Sequence, residues 1–149
     1  MKTADVIIVG SGASGLFNAL FLPQDYKVIV ITKKEVEESD SFLAQGGISA
    51  LKNPEDYDSY FEDTMKAGHY ENDKGAVEKM IKESPQIIHD LKDFGVRFDL
   101  KDGEIEFTRE GGHSTFRILH HEDLTGKEIT SHLYEEAKKR DNITIMENC

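Results

Sequence analysis

Three glycines with a fixed spacing, Gly10, Gly12 and Gly15, follow an apolar run and form the pattern G-x-G-x-x-G. In a strand-to-helix turn the first glycine permits the sharp bend, the second lets backbone approach a pyrophosphate, and the third allows close helix–strand packing. The free N–H groups and the positive dipole at the start of such a helix bind phosphate. The pattern therefore predicts a dinucleotide site; the alternative is a glycine-rich turn in an ordinary α/β domain.

The elements around these glycines are those that such a site needs. Residues 6–9 form an apolar run typical of a buried parallel strand, and residues 28–31 form a second one. Between the two runs a helix is predicted, with Leu16, Ala19 and Leu22 on its apolar face. Together they predict an α/β fold, a Rossmann-like domain with a parallel sheet.

Further elements follow along the chain. The stretch 32–52 shows neither helical nor strand periodicity, so we expect an irregular loop there. Three parallel strands make a thin sheet that nothing after the last strand covers, so we expect a domain that is incomplete at its C-terminus. Two helices are predicted over residues 54–68 and 73–95, and Ser84-Pro85 interrupts the second one. A hairpin of residues 96–99 and 104–107 around Asp102-Gly103 follows. The last predicted elements are a helix over residues 125–140, with Ile129, Leu133 and Ala137 on one face, and a strand over residues 143–146.

Length and composition are those of one globular domain. The 149 residues carry a net charge of −11, which disfavours nucleic acid as a partner. Acidic residues concentrate in residues 35–63, where Lys52 is the single cation, and solvated loops explain this better than an acidic docking surface. The chain shows neither a signal peptide nor an apolar run long enough to cross a bilayer. The single cysteine, Cys149, fits a reducing compartment, so we expect a cytoplasmic location and no membrane partner.

The end of the second predicted strand lacks the acidic residue that binds a ribose hydroxyl in many dinucleotide sites. The residues there are Thr32, Lys33 and Lys34. One interpretation is a site for a 2′-phosphate, which would mean NADP. Another is a flavin protein that uses the hydroxyl and a lysine, and in a third the lysines are solvated loop charges.

A second glycine-containing segment bears on the choice between flavin and nicotinamide. Gln45 precedes the adjacent Gly46 and Gly47. Adjacent glycines let backbone N–H groups lie flat against a planar ligand, and a glutamine amide can both donate and accept at a ring edge. An isoalloxazine ring needs such a surface, whereas a nicotinamide-binding domain has no use for this loop here. The segment therefore favours a flavin.

These motifs resemble those of the fumarate reductase and succinate dehydrogenase flavoprotein family, and within it the branch of L-aspartate oxidases. The resemblance covers almost the whole chain, which corresponds to the N-terminal part of much longer enzymes. Its most specific segment is Thr-Arg-Glu-Gly-Gly-His-Ser at residues 108–114. The other segments that carry it are residues 10–16, 42–48, 62–64, 67–68, 95–99, 117–120 and 123–126.

The resemblance implies noncovalently bound FAD. Residues 11–14 would contact the pyrophosphate, Lys33 the adenosine side, and residues 40–47 would lie along the flavin. Respiratory members of the family attach the flavin to a histidine five residues before the glutamine; Asp40 stands there, so covalent attachment is not expected. The cofactor-binding residues expected on this basis are Gly10, Ser11, Gly12, Ala13, Ser14, Gly15, Lys33, Asp40, Ser41, Phe42, Leu43, Ala44, Gln45, Gly46 and Gly47.

Glu110 is the residue that the resemblance places at the substrate. It would orient an amino substrate, since a carboxylate pairs well with an ammonium group; from the residues alone, the alternative is a surface acid paired with Arg109. His113 and His120 are expected to brace the flavin pocket. A metal site is not expected, because no carboxylate or cysteine stands at ligand spacing and the adjacent His120 and His121 tend to face apart.

The activity implied by the resemblance is oxidation of L-aspartate to iminoaspartate with hydride transfer to FAD, the first step of bacterial NAD synthesis. Oxygen or fumarate would accept the electrons, and quinolinate synthase would act downstream. The proton-transfer arginine, the substrate-carboxylate ligands and the capping and C-terminal helical domains would lie beyond residue 149, so the chain alone is expected to be inactive. The alternatives are a soluble fumarate reductase or related dicarboxylate oxidoreductase, and a non-catalytic dinucleotide-binding module.

Overall fold

The structure, a computed structural model, describes residues 3–149. Its helices are α1 (Ala13–Phe21), α2 (Asp40–Leu43), α3 (Tyr57–Ala67), α4 (Lys74–Asp93) and α5 (Thr125–Lys138). Its strands are β1 (Val6–Val9), β2 (Val28–Ile31), β3 (Ile48–Ser49), β4 (Leu100–Lys101), β5 (Glu104–Ile105), β6 (Phe107–Thr108), β7 (Ile118–Leu119) and β8 (Ile143–Met146). Short 3-10 turns, Val36–Glu38 and Pro54–Asp56, precede α2 and α3.

The chain forms two compact units. The first unit comprises residues up to Gly46 together with Phe94–Val96 and Leu124–Cys149. The second unit comprises Gly47–Asp93 and Arg97–Asp123. Among the helices of the described part of the chain, none has the length and hydrophobicity needed to cross a membrane.

The first unit is built on a parallel sheet in the order β1-β2-β8, which confirms the predicted α/β fold. Helices α1 and α5 pack against each other, and α1 also contacts β1 and β2. The predicted apolar positions of both helices face the interior, although Leu22 lies just beyond the end of α1. The core residues of this packing are Leu16, Ala19, Val28, Val30, Ile129, Leu133 and Ala137.

The second unit combines an antiparallel sheet, β3-β7-β6, with α3 and α4. Side chains cap the segments that lead into both helices. Asn53 caps the 3-10 turn before α3 by accepting from the Asp56 N–H at 3.1 Å, and the Asp73 carboxylate accepts from the Ala76 N–H at 2.7 Å before α4. Helix α3 ends before Gly68, as predicted. The core between the two helices consists of Tyr60, Met65, Val77 and Ile81.

Helix α4 continues through the predicted interruption at Ser84-Pro85. Proline has no N–H for the carbonyl four residues earlier, which here is that of Ile81. The Ser84 hydroxyl donates to this carbonyl oxygen at 2.7 Å and accepts from the Leu51 N–H at 2.9 Å. The serine therefore replaces the hydrogen bond that Pro85 removes, and the helix does not break.

Two other expectations need correction. The stretch 32–52 is not irregular throughout, because it contains a 3-10 turn, α2 and β3. The hairpin is shorter than predicted: β4 and β5 pair around Asp102 and Gly103, whose φ angles of 55° and 87° suit a type I′ turn. Residues 96–99 form no strand, and their alternation reflects burial of Val96 and Phe98 instead of ladder pairing.

Candidate functional site

The glycine loop of the first unit connects the end of β1 to the start of α1. The Gly10 N–H donates to the Ile31 carbonyl at 2.8 Å, which holds the loop against the end of β2. Gly12 is the N-cap of α1, and no described side chain caps the helix. The uncapped N–H groups and the positive end of the helix dipole suit an anionic group.

The approach between helix and strand is closest at Gly15. A β-carbon added there would lie 2.1 Å from the Gly10 carbonyl oxygen, a backbone atom that cannot rotate away. The third glycine of the motif therefore serves the close packing that its spacing predicts.

Ser11 shows that this loop suits a phosphate ligand. It is 2% exposed, and its Oγ is buried without a hydrogen-bond partner within residues 3–149. An unsatisfied buried hydroxyl is unfavourable, and a phosphate oxygen at the adjacent helix N-terminus would give it an acceptor. The loop residues thus fit the pyrophosphate of a dinucleotide.

The segment around α2 lies beside the glycine loop. A β-carbon added at Gly12 would lie 2.7 Å from Ser41 Oγ, so the structure brings these two predicted site residues together. The Ser39 hydroxyl caps α2 by accepting from the Phe42 N–H at 3.3 Å. The Gly126 N–H, at the start of α5, donates to the Ala44 carbonyl at 3.0 Å. Both contacts hold the segment in place.

Most of the remaining predicted cofactor residues are exposed to solvent, whereas Ala13 and Phe42 are partly buried. Lys33 and Asp40 are exposed. The exposed Lys34 forms a salt bridge with Glu38 at 2.6 Å, which is typical of a charged residue in a surface loop. Leu43 is 64% exposed although it is apolar. Gln45 and Gly46 are also exposed and belong to the first unit, whereas Gly47 belongs to the second.

Glu110 and His113 stand at the two ends of one tight turn in the second unit. The His113 N–H donates to the Glu110 carbonyl at 3.2 Å, and Gly112 has a φ of +87°, which favours glycine. Glu110 is exposed. Arg109 places its guanidinium over the Phe116 ring, 5.5 Å from the ring centroid, and within residues 3–149 no ion pair joins it to Glu110.

A cavity of about 570 Å³ lies beside this turn, within the second unit. Gly47, Ser49, Gly112 and His113 are among the residues that line it. His113 Nε2 lies 3.5 Å from Ser49 Oγ. The last residue of the predicted flavin segment and the histidine of the Glu110 turn therefore face the same cavity.

The main feature that sequence reasoning missed is a buried ion network around Arg117, which is 0% exposed. Arg117 donates from Nε and Nη2 to the two carboxylate oxygens of Asp56, at 2.9 and 2.8 Å, and from Nη1 to Asp63 at 2.6 Å. The guanidinium also lies over the Tyr60 ring, with Arg117 Cζ 4.8 Å from the ring centroid. An arginine within the apolar run of residues 116–119 was the available signal.

The network changes the pKa values of its carboxyl groups. Hydrogen bonds from Arg117 are the largest cause that lowers the pKa of Asp56 from 3.8 to about 2. Burial raises the pKa of Asp63, but hydrogen bonds from Ser114 and Arg117 outweigh it, so that this pKa is also lowered. Both carboxylates are therefore charged over the physiological pH range.

We expect the Asp56→Asn variant of the full-length protein to be less stable by about 3 kcal/mol at pH 7, because it leaves the buried Arg117 with one carboxylate. Asp56 has a lowered pKa when folded, so its contribution is present above its ordinary pKa of 3.8 and is lost as the pH falls through about 2. Thermal unfolding should show a melting-temperature difference between wild type and variant that narrows over this range. The exposed Asp58→Asn is the control; an equally wide gap near pH 2 would contradict the prediction.

His120 and His121 do not point in opposite directions, contrary to the prediction for adjacent histidines. Their Nδ1 atoms both lie near the Asp99 carboxylate, at 3.1 and 3.5 Å, so they do not face apart and a carboxylate is close by. A turn explains this: Glu122 has a φ of 47°, and its N–H donates to Asp99 Oδ2 at 2.8 Å. Asp99 lies 21 residues before His120, so its proximity was not visible in the sequence. Among the described residues no group of three or more His, Cys, Asp or Glu side chains could hold a metal ion.

Residues 5–149 match the FAD binding domain family. An L-aspartate oxidase of Clostridium perfringens is 44% identical over 99% of this chain and 34% of its own length. An L-aspartate oxidase of Clostridium acetobutylicum is 47% identical over 97% of this chain and 33% of its own length. The chain thus spans about a third of the length of these curated relatives.

Among solved structures, an E. coli quinol fumarate reductase superposes with a TM-score of 0.88 at 25% sequence identity. The match covers 95% of this chain and 25% of the reductase chain. A flavocytochrome c3 fumarate reductase superposes with a TM-score of 0.83, also at 25% identity, over 99% of this chain and 27% of its own.

Proposed function

Because the chain belongs to the FAD binding domain family, we propose that it is the FAD-binding N-terminal part of an L-aspartate oxidase. The observation that carries the proposal is the 44% and 47% identity to two L-aspartate oxidases over nearly the whole chain. The complete enzyme would oxidise L-aspartate to iminoaspartate, the first step of NAD synthesis. It would act in the cytoplasm, a compartment in which a free thiol such as that of Cys149 stays reduced.

The proposed domain organisation is that residues 1–149 are the N-terminal part of the FAD-binding domain, with capping and C-terminal helical domains outside this chain. The length of the relatives supports it. The sheet supports it as well: Ile7 and Val9 of β1 are 62% and 82% exposed. Parallel sheets are normally covered on both faces, so these side chains suit a larger domain.

In this proposal the two predicted segments of the first unit hold the cofactor. The N–H groups at the start of α1 and the Ser11 hydroxyl bind the pyrophosphate, and Lys33 contacts the adenosine side. The exposed segment from Asp40 to Gly46, continued by Gly47, lies along the flavin. When bound, FAD supplies the acceptor for the two electrons that leave the substrate.

The second unit supplies the recognition of the substrate. The Glu110 carboxylate accepts hydrogen bonds from the substrate's ammonium group and so orients aspartate. His113, which lines the cavity with Gly47, braces the pocket. Oxygen or fumarate would take up the electrons afterwards, and quinolinate synthase would consume the product.

A second candidate is a soluble fumarate reductase or related dicarboxylate oxidoreductase. The superposition on E. coli quinol fumarate reductase favours it. The two candidates differ in whether the substrate carries an ammonium group, and therefore in what Glu110 has to bind.

Turnover by the purified full-length protein tests the proposal. We expect rapid oxidation of L-aspartate and little oxidation of succinate at the same concentration. Oxidation of succinate without oxidation of aspartate would support the reductase instead. Absence of both activities in a protein without flavin would leave a non-catalytic dinucleotide-binding module.

We expect the FAD of the full-length protein to be noncovalent, because Asp40 occupies the position at which respiratory relatives use a histidine. Acid precipitation should release all the flavin into the supernatant, where its absorbance is measured. Flavin that remains in the washed pellet would contradict this prediction.

A further inference from the structure

The segment that follows the Glu110 turn is fastened to helix α3. The N–H and the hydroxyl of Ser114 both donate to Asp63 Oδ2, at 2.7 and 2.8 Å. The Thr115 hydroxyl donates to Asp56 Oδ1 at 2.6 Å. Asp56 directly precedes α3 and Asp63 lies within it, so two successive residues after the turn are bound to one helix.

Arg117 in turn holds both of these carboxylates. Asp63 Oδ2 accepts from Arg117 Nη1 as well as from Ser114, so one oxygen receives three hydrogen bonds. The Asp63 side chain is 17% exposed and that of Asp56 is 8% exposed, whereas Arg117 is fully buried. Charge-assisted hydrogen bonds are stronger than neutral ones. Those between Arg117 and Asp56 are buried, whereas those from Ser114 to Asp63 lie at the surface, so the segment is attached at several points to one charged network.

The same guanidinium also reaches the turn itself. Arg117 Nη1 lies 3.2 Å from His113 Nδ1. A guanidinium has no acceptor, so His113 Nδ1 must accept and the ring proton is carried by Nε2. Nε2 lies on the Ser49 side of the ring, at the cavity. The turn that carries Glu110 is therefore held through His113 at its end and through Ser114 immediately after it.

We propose that Asp63 and Arg117 are positioning residues that fix the Glu110 turn and so set the preference for an amino dicarboxylate over a dicarboxylate without an ammonium group. Neither residue needs to touch the substrate. A carboxylate that is displaced by about 1 Å pairs poorly with a bound ammonium, and binding falls accordingly. This inference rests on the proposed function, because it takes Glu110 as the group that binds the ammonium.

The test is the Asp63→Asn variant of the full-length holoenzyme. The substitution keeps the size of the side chain but removes the charge that holds Ser114 and Arg117. We expect the KM for aspartate to rise about ten-fold, with fumarate reduction within about two-fold of wild type and unchanged FAD content. The matched control is Asp58→Asn, which changes an exposed carboxylate on the same helix and should leave both substrates unaffected.

A double mutant shows whether Asp63 acts through Glu110. If it does, Asp63→Asn adds little further loss for aspartate in a Glu110→Gln background, because the group it positions is already gone. Additive losses, or an equal loss for aspartate and fumarate, would overturn the inference and leave Asp63 with a structural role.

Two further measurements keep the outcome decisive. If Asp63→Asn does not fold, Ser114→Ala is the alternative variant, because it removes the 2.8 Å hydrogen bond from the Ser114 hydroxyl to Asp63 and keeps the other two. It should raise the KM for aspartate about three-fold without changing the rate of fumarate reduction. Equal effects on both substrates, or no effect on either, would overturn the inference. Wild-type protein that does not oxidise aspartate would refute the proposed function itself. Wild type that oxidises aspartate, with a selective Glu110→Gln and a silent Asp63→Asn, would refute the positioning role alone.

Discussion

Replacing Gly15 with alanine in the full-length protein is expected to abolish the retention of FAD. The added β-carbon would lie 2.1 Å from the Gly10 carbonyl oxygen and 3.3 Å from Ile8 Cγ2. Because the closest atom belongs to the backbone, α1 would have to move away from β1, and its N-terminal N–H groups would move with it. We expect the dissociation constant for FAD to rise by at least about a hundred-fold, since several hydrogen bonds to one charged group are misplaced together.

The flavin-to-protein ratio after desalting measures this effect. Gly111→Ala is the matched control, because among the described residues nothing lies within 4 Å of the added carbon, and it should retain flavin fully. Gly12→Ala should also lose FAD, because its β-carbon meets the Ser41 hydroxyl and would occupy the space through which the backbone approaches the pyrophosphate. A Gly15→Ala protein with wild-type flavin content would refute the assignment of the phosphate site to this loop.

Replacing Glu110 with glutamine in the full-length enzyme is expected to reduce kcat/KM for aspartate by about ten- to a hundred-fold. A charged hydrogen bond to the substrate's ammonium is worth roughly 1.5–3 kcal/mol, which corresponds to this loss. Fumarate has no ammonium group, so its reduction should be unchanged, or improve slightly because a repulsive charge is removed. Steady-state kinetics with both substrates, at one pH and salt concentration, measures the difference.

Glu104→Gln, an exposed glutamate in the nearby β4–β5 hairpin, is the control for the loss of one charge. Equal losses for aspartate and fumarate would make Glu110 a structural residue. No loss for either substrate would place Glu110 outside the site, and the proposed recognition of the ammonium would then be wrong.

The local elements could be predicted from the sequence because their signals lie within a few residues of one another. Strand β2 matches the predicted residues 28–31, and β8 the predicted residues 143–146. Helix α1 begins within the glycine motif and buries Leu16 and Ala19 as the spacing requires. The functions assigned to individual residues, including Glu110, rest on family resemblance and stay predictions.

Departures from local periodicity were harder to predict. A proline inside a helix normally breaks it, because proline has no N–H to donate. At Pro85 the helix continues, since the hydroxyl of the preceding Ser84 donates the missing hydrogen bond. The short helix α2 lies in a segment without a readable period, where the Ser39 cap and the contact of Gly126 with the Ala44 carbonyl stabilise it. Such stabilisation comes from specific partners and leaves no repeating pattern in the sequence.

The glycine loop, the strands and helices of the α/β frame and the family could be predicted from the sequence, because each is indicated by short runs of neighbouring residues. The partners of Arg117 and of the two adjacent histidines could not be predicted, because they come from distant parts of the chain. Arg117 meets Asp56 and Asp63 across 61 and 54 residues, and Asp99 meets two histidines more than twenty positions away. Separations of this size leave no local pattern in the sequence. Arg117 is fully buried and must therefore be paired, and packing of the distant segments decides which carboxylates it meets.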